Sequence, residues 1–297
     1  MRKLFFFVTS MFSHGGIVSF LIAVILFVPV GIQARMVRVG IYQTNPKIFI
    51  DTNGVPKGIF VDVLEDIAKK EGWMLYYVPG TLAETTKRLE KAEIDLMPSA
   101  NFSEQRSQKF SFNRIPILID WPMIYTREDR EVTNIRELNN KTIGILRGSV
   151  YPEILSNLLS SNRLQCRLVG YRDNYSMFKS IDDGKIDAIF SSRFLVHSDD
   201  NNHLSTFAVD YSPILSYFAV KKGVNEDLIH NIDRRFSVLI NDSSSEYYQS
   251  LRYWLNFRYE AVVPKALYGI VIFIAVGVLE ILFAVFLLLH TIRNMKQ

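Results

Sequence analysis

A single cysteine, Cys166, stands among 297 residues, which excludes an internal disulfide framework. Its place in the strand-like run from Leu164 to Val169 predicts a small core residue rather than a catalytic thiol. The five histidines form no Cys/His set at metal-ligand spacing, and the chain has no phosphate-cradling glycine loop and no Ser/His/Asp order. No metal or other cofactor is therefore expected, and an enzyme is the least supported class. A basic run is missing too. The 34 Lys and Arg are scattered among 30 Asp and Glu, so the formal charge of +4 does not point to a nucleic-acid partner.

Long apolar runs are confined to two places. The first, Phe20 to Val30, follows Arg2 and Lys3 and closes on Gly31 to Ala34. Residues 1–34 read as an export signal, either cleaved or kept as a first transmembrane helix. The second, Leu267 to Leu289, lies in a segment 264–290 long enough to cross a bilayer, with a tail at 291–297. Arg2, Lys3, Arg293 and Lys296 favour cytoplasmic ends, which places the middle of the chain outside an inner membrane. Glu280 sits near the middle of the second run with Gly277 on the adjacent turn. An ionisable group in hydrocarbon normally faces a partner, so Glu280 and Gly277 are the candidate membrane-helix contact, with a second copy or with a separate output subunit.

Between these runs the pattern alternates strand and helix. Val37 to Tyr42 alternates as a strand, Phe60, Val63, Leu64, Ile67 and Ala68 recur at helical spacing, and Gly72 is placed to end that helix. Met74 to Val78 is a second strand, Thr81 to Glu84 a capping box opening a helix, and Ile94 to Met97 a third strand. That order implies a parallel sheet with ligands beyond its carboxyl ends, at Pro98 to Asn101. Ser103 is a helix N-cap that puts Arg106 in the first turn, where a cation fits only if it faces solvent or an anion; a guanidinium there suits a carboxylate.

After an extended stretch from Ile115 to Thr126 the grammar begins afresh. Lys141 to Leu146 is a strand, Gly148-Ser149 a strand-to-helix turn able to offer N–H groups, and Pro152 lies in the helix that follows. Leu168-Val169, a helix from Tyr175 to Ile181 and a strand from Ile186 to Phe190 complete a second unit. A returning strand, Tyr217 to Lys221, precedes helices at Glu226 to Ile240 and, opened by Ser243 with Glu246, from about Ser244 to Arg258. Two units of this kind suggest two lobes with a cleft between them: 36–122, then 123–217, then a return at 218–258.

From about Val37 to Leu255 the order of motifs resembles the family 3 extracellular solute-binding proteins, two-lobed periplasmic receptors for polar amino acids. The likeness is carried by Val37-Arg-Val-Gly40, Gly58-Ile-Phe-Val-Asp62, Glu93-Ile-Asp95, Ser103-Glu-Gln-Arg106, Lys141-Thr-Ile-Gly144, Gly148-Ser149 and Gly184-Lys-Ile-Asp187. Asn45 to Asp51 and Ala68 to Trp73 look closest to versions that serve as input domains of membrane-bound sensor kinases and diguanylate cyclases. The resemblance implies a type 2 periplasmic-binding-protein-like α/β fold. In it Arg106 clamps a ligand carboxylate, Ser99 and Asn101 stand beside it, and Ser149 donates from the second lobe. The candidate ligand-binding set is Arg106, Ser99, Asn101, Ser149, Gly148, Ser192, Tyr42 and Leu82.

The departures matter as well. Where the family holds the ligand's ammonium group on an acidic residue, Ser192 stands here, and Lys47 replaces a stacking aromatic. A small carboxylate or an unusual amino acid is therefore expected. Asp62, Asp95 and Asp187 occupy structural positions of the scaffold. The expected function is a membrane-tethered sensor signalling through its C-terminal helix, either a truncated sensor, a subunit acting through a partner, or a decoy. The alternative is the substrate-binding component of an amino-acid transporter.

Overall fold

The computed structural model describes residues 34–195 and 204–255. In chain order the strands and helices are β1 (Arg35–Ile41), β2 (Phe49–Ile50), β3 (Pro56–Lys57), α1 (Ile59–Glu71), β4 (Trp73–Pro79), α2 (Leu82–Glu90), β5 (Met97–Asn101), α3 (Glu104–Ser107), β6 (Phe110–Phe112) and β7 (Leu118–Asp120). They continue as β8 (Pro122–Arg127), β9 (Thr142–Leu146), α4 (Tyr151–Ser161), β10 (Arg167–Tyr171), α5 (Asn174–Asp182), β11 (Ala188–Ser192), β12 (Leu204–Ala208), β13 (Ile214–Lys221), α6 (Glu226–Leu239) and α7 (Glu246–Leu255).

The first lobe is built on β1 and β4, paired in parallel from Arg35 with Trp73 to Ile41 with Pro79. A single parallel bridge from Val39 to Leu96 joins this pair to β5, which pairs antiparallel with β13. β13 also pairs antiparallel with β6 and β7. The apolar face of α1, with Val63, Leu64 and Ile67 fully buried, packs on this sheet together with α6 and α7. Phe60 meets Phe218 edge to face with ring centroids 5.3 Å apart, an arrangement that adds to the area both rings bury. The helix ends as its sequence dictates, at Gly72 in the left-handed region with φ 69°. Thr81 and Glu84 form the expected capping box at the start of α2.

The second lobe is a five-stranded sheet in the order β10, β9, β11, β8, β12. Its first three strands run parallel and β8 runs antiparallel to its neighbours. One core lies between the sheet and α4, around Leu138, Ile143, Leu155 and Phe190, and another beside α5, around Tyr125, Met177, Ile181 and Ile189. Cys166 packs against the first of these cores, and its Sγ–H points 3.0 Å from the carbonyl of Leu138.

Several boundaries differ from the sequence reading. The third strand begins at Met97 rather than Ile94, because the amides of Asp95 and Leu96 both turn to the carbonyl of Arg38, at 2.8 and 3.1 Å. Pro98 to Asn101 are thus strand rather than loop. The return to the first lobe starts at Ile214, ahead of 218, since Ile214 already pairs with Asp120. Helix α7 begins at Glu246, after Asp242 has taken the N–H and hydroxyl of Ser244, so Ser243 and Glu246 do not frame its first turn.

Asp62, Asp95 and Asp187 each hold the scaffold together. Asp62 accepts from Ser250 and Trp254, both at 2.6 Å, tying α1 to α7. Asp95 grips Arg38 through its backbone N–H and guanidinium; burial raises its pKa, but the Arg38 bonds outweigh that and hold the carboxyl below the usual range. Asp187 accepts from the amide of Thr142 at 2.8 Å. Among the described residues no helix is long and apolar enough to cross a membrane. The two apolar runs, with Glu280 and Gly277, lie outside the described residues.

Candidate functional site

The chain crosses between lobes at Asp120 to Pro122 and again ahead of Ile214, and the lobes face each other across a small cavity. The first lobe contributes Tyr42, Thr44, Asn45, Lys47, Leu82, Ser99 and Asn101. The second contributes Leu146, Ser149, Tyr151, Asn174, Ser191 and Ser192, with Phe194 and Leu195 beyond β11. Six of the eight candidates from the sequence therefore line one space: Tyr42, Leu82, Ser99, Asn101, Ser149 and Ser192.

Each is fixed locally. Tyr42 is 3% exposed and donates to the carbonyls of Pro98 and Ser99, at 3.1 and 2.9 Å; burial pushes its phenol up to about 12. Ser99 is buried with φ 55°, a left-handed kink inside β5. Ser149 donates to the carbonyl of Leu146 at 2.6 Å and accepts the amide of Tyr151 at 3.3 Å, so its hydroxyl bridges the turn between β9 and α4. Ser192 accepts the amide of Phe194 at 3.0 Å, while its carbonyl accepts from Tyr125 at 2.6 Å. Leu82 and Tyr42 pack with Leu146, an apolar contact between the lobes.

Arg106 and Gly148 do not line the cavity but meet at its edge. The Arg106 guanidinium is half-buried and donates to the carbonyl of Asn101 in its own lobe and to that of Gly148 in the other, both at 3.0 Å. Burial lowers its pKa below the usual guanidinium value, with Tyr42 and Glu90 nearby opposing the shift. Ser103 does cap the helix, accepting the Arg106 amide at 3.3 Å. That helix is only Glu104–Ser107, so its dipole is slight, and the guanidinium bonds rather than the helix terminus set the chemistry here.

Sequence reasoning placed Lys47 at the ligand position but missed its partner, Asp120. The Lys47 ammonium lies 2.5 Å from the carboxylate of Asp120, with the two side chains 8% and 0% exposed. Asp120 also accepts from the Tyr151 hydroxyl at 3.3 Å and from the amides of Trp121 and Arg193, at 2.8 and 3.2 Å. One carboxylate at the crossing thus gathers donors from both lobes. Lys47 is held by its backbone, since the carbonyls of Pro46 and Lys47 accept the first amides of α1, from Ile59 and Phe60, at 3.1 and 3.0 Å. Gly58 permits this approach: its φ is 111°, and a Cβ there would stand 2.7 Å from both carbonyl oxygens. Arg193 lies over the rings of Trp121 and Phe194, at 4.4 and 4.5 Å, and braces Phe194 at the cavity. Asn174 brings a buried side-chain oxygen that has no hydrogen-bond partner.

The two α/β lobes, joined by paired crossings, thus wall one cavity between them. The family model for bacterial extracellular solute-binding proteins, family 3, matches residues 37–257. The chain belongs to that family. Solved structures of like fold include an ancestral arginine-binding protein bound to arginine, 21% identical with a TM-score of 0.66, covering 74% of this chain and 97% of that one. A histidine kinase sensor domain with similarity to periplasmic binding proteins is 19% identical with a TM-score of 0.66, covering 75% and 96%. A substrate-binding protein of an ABC uptake transporter from Streptococcus pneumoniae, with bound histidine, is 18% identical with a TM-score of 0.67, covering 74% and 92%. No curated protein sequence matches the chain.

Within this family-3 domain Gly148 is one of the points where the lobes touch. Its φ is 80°, and an added Cβ would lie 2.9 Å from Cα of Ala83 in α2. Gly148→Ala is expected to cost about 1–2 kcal/mol from the left-handed backbone alone, and more through the contact. Ala83→Gly should recover only the part of the contact made by its own Cβ, since its Cα and N stay in place. Urea denaturation of the single and double variants measures both, and full recovery in the double variant would show that the backbone conformation costs nothing.

Proposed function

We propose that the chain is a membrane-tethered extracytoplasmic sensor that closes its two lobes on a small carboxylate-bearing ligand and passes the change to the apolar segment 264–290. The observation that carries this reading is the cavity walled by both lobes, with Arg106 bonded across its edge to Gly148. A ligand there touches both lobes at once, so it binds the closed arrangement better than the open one; that difference is all a ligand can use to shift the population. Arg106 supplies a planar set of five donors, of which a carboxylate can engage two side by side. Lys47 neutralises the Asp120 carboxylate behind the wall, and Ser192 offers an ammonium group only hydroxyl chemistry. An organic acid, or an amino-acid-like ligand bound mainly through its carboxylate, fits best.

The same cavity serves a transport receptor equally well, as the uptake protein of like fold illustrates. The second apolar run favours the tethered sensor, and Glu280 with Gly277 is its proposed contact with an output subunit or a second copy. A thermal-shift comparison of the full chain in detergent tests the ligand class with matched probes: succinate against aspartate, glutarate against glutamate, propionate against alanine. A ligand at 100 times its Kd adds about 2.7 kcal/mol. For a domain of this size that is about 5 to 10 °C. The deaminated member of a pair is expected to stabilise more. Strong stabilisation by an amino acid with its deaminated partner inert would overturn the reading.

A further inference from the structure

We propose that Asp120 is a latent ammonium subsite of the cleft and that the chain's own Lys47 fills it, so that Lys47 sets the charge class of ligand the cavity accepts. The inference deepens the sensor reading above and rests on it for the statement that a ligand enters this cavity. Asp120 has the make-up of a cation site. It is fully buried, lies at the crossing between the lobes, and is braced by the Tyr151 hydroxyl and two backbone amides. Those three interactions leave one acceptor position on the carboxylate, and the ammonium of Lys47, itself a lining residue, stands in it, 2.5 Å from Oδ2. Lys47 is the one formally charged residue among the described lining residues, and its ammonium also lies 5.8 Å from the centre of the Phe194 ring, as a bound alkylammonium would beside an aromatic wall.

The consequence is an exchange of charge. With Lys47 present, the carboxylate is neutralised from within, and a ligand that carries its own ammonium brings a second cation to a site already satisfied. Such a ligand is disfavoured, while an anion meets Arg106 with no uncompensated carboxylate to repel it. With the lysine shortened, the buried carboxylate needs an external cation, and the space the side chain vacates opens onto the cavity that Lys47 lines.

The test is chemical rescue on the full chain in detergent, using ethylammonium chloride as the probe and sodium chloride at equal ionic strength as the control. Lys47→Ala is expected to melt well below wild type, and ethylammonium should raise its melting temperature saturably. Wild type and the Lys47→Ala/Asp120→Asn double variant should not respond. In the matched acid and amino-acid pairs, Lys47→Ala should move the preference toward the amino acid by about tenfold or more. Should Lys47→Ala fail to fold, Lys47→Asn, which keeps a donor while shortening the chain, is read in the same way. A folded variant that ethylammonium does not stabilise would show Asp120 to be sealed from the cleft and overturn the proposal. So would a wild type that responds as strongly as the variant. The rescue arm contains no carboxylate, so its failure leaves the sensor reading to stand on the wild-type screen, and failure of that screen leaves the rescue result intact.

Discussion

Asp120→Ala is expected to destabilise the protein by about 3–5 kcal/mol, because it strands the buried Lys47 ammonium. The asymmetry is physical. Taking two charges out of water is costly, and the pair is tolerable only while each satisfies the other; removing one leaves the desolvation cost of its partner with nothing to offset it. Here the Lys47 side chain is 8% exposed, and its backbone is locked by the first amides of α1, so it cannot swing out to water without unpacking the start of that helix. The same substitution removes the acceptor shared by Tyr151, Trp121 and Arg193 at the crossing between lobes. Equilibrium urea denaturation would measure the loss. Replacing both partners at once, Lys47→Met with Asp120→Asn, is expected to cost much less than Asp120→Ala. A loss below about 1 kcal/mol for Asp120→Ala would be that of an exposed pair and would show that Lys47 reaches solvent.

Arg106→Ala is expected to weaken binding of whichever carboxylate probe stabilises wild type by about 2 to 5 kcal/mol, the range for truncating one partner of a buried, hydrogen-bonded charge pair. Folding should change far less. Arg106 is half-buried and bonds two backbone carbonyls on the rim of the cavity, and the wild-type lobes also meet through Leu146 with Tyr42 and Leu82. Arg106→Lys keeps the charge without the planar fork and should fall between the two. Titration calorimetry of the three proteins with one probe, alongside circular dichroism to check the fold, decides the matter. Equal affinity in wild type and Arg106→Ala would confine Arg106 to tying the lobes together and remove it from the ligand site.

Much of this molecule could be read from the chain itself, wherever structure follows from local rules. The helix from Ile59 to Glu71 was legible from its apolar spacing and its terminal Gly72, and the start of α2 from Thr81 and Glu84, because periodicity and capping involve residues only three or four apart. Ordered motifs along the chain were enough to indicate the family, whose model matches residues 37–257. Tyr42, Leu82, Ser99, Asn101, Ser149 and Ser192 were named from the chain and share one cavity. Tertiary structure decided the rest. The third strand was misplaced because Asp95 and Leu96 give their amides to Arg38, some 57 positions earlier, and no local pattern encodes that choice. Arg106 was expected in the cavity wall, yet it turns to a carbonyl 42 residues away, in the other lobe. The pair at the centre of the site joins residues 73 apart, and although Lys47 stood out in the sequence at the place of a stacking aromatic, nothing local pointed to Asp120 as its partner. What sets it apart is burial against one carboxylate at the crossing of two lobes, and burial is a property of the folded surface, set by the sum of contacts that the chain makes with itself.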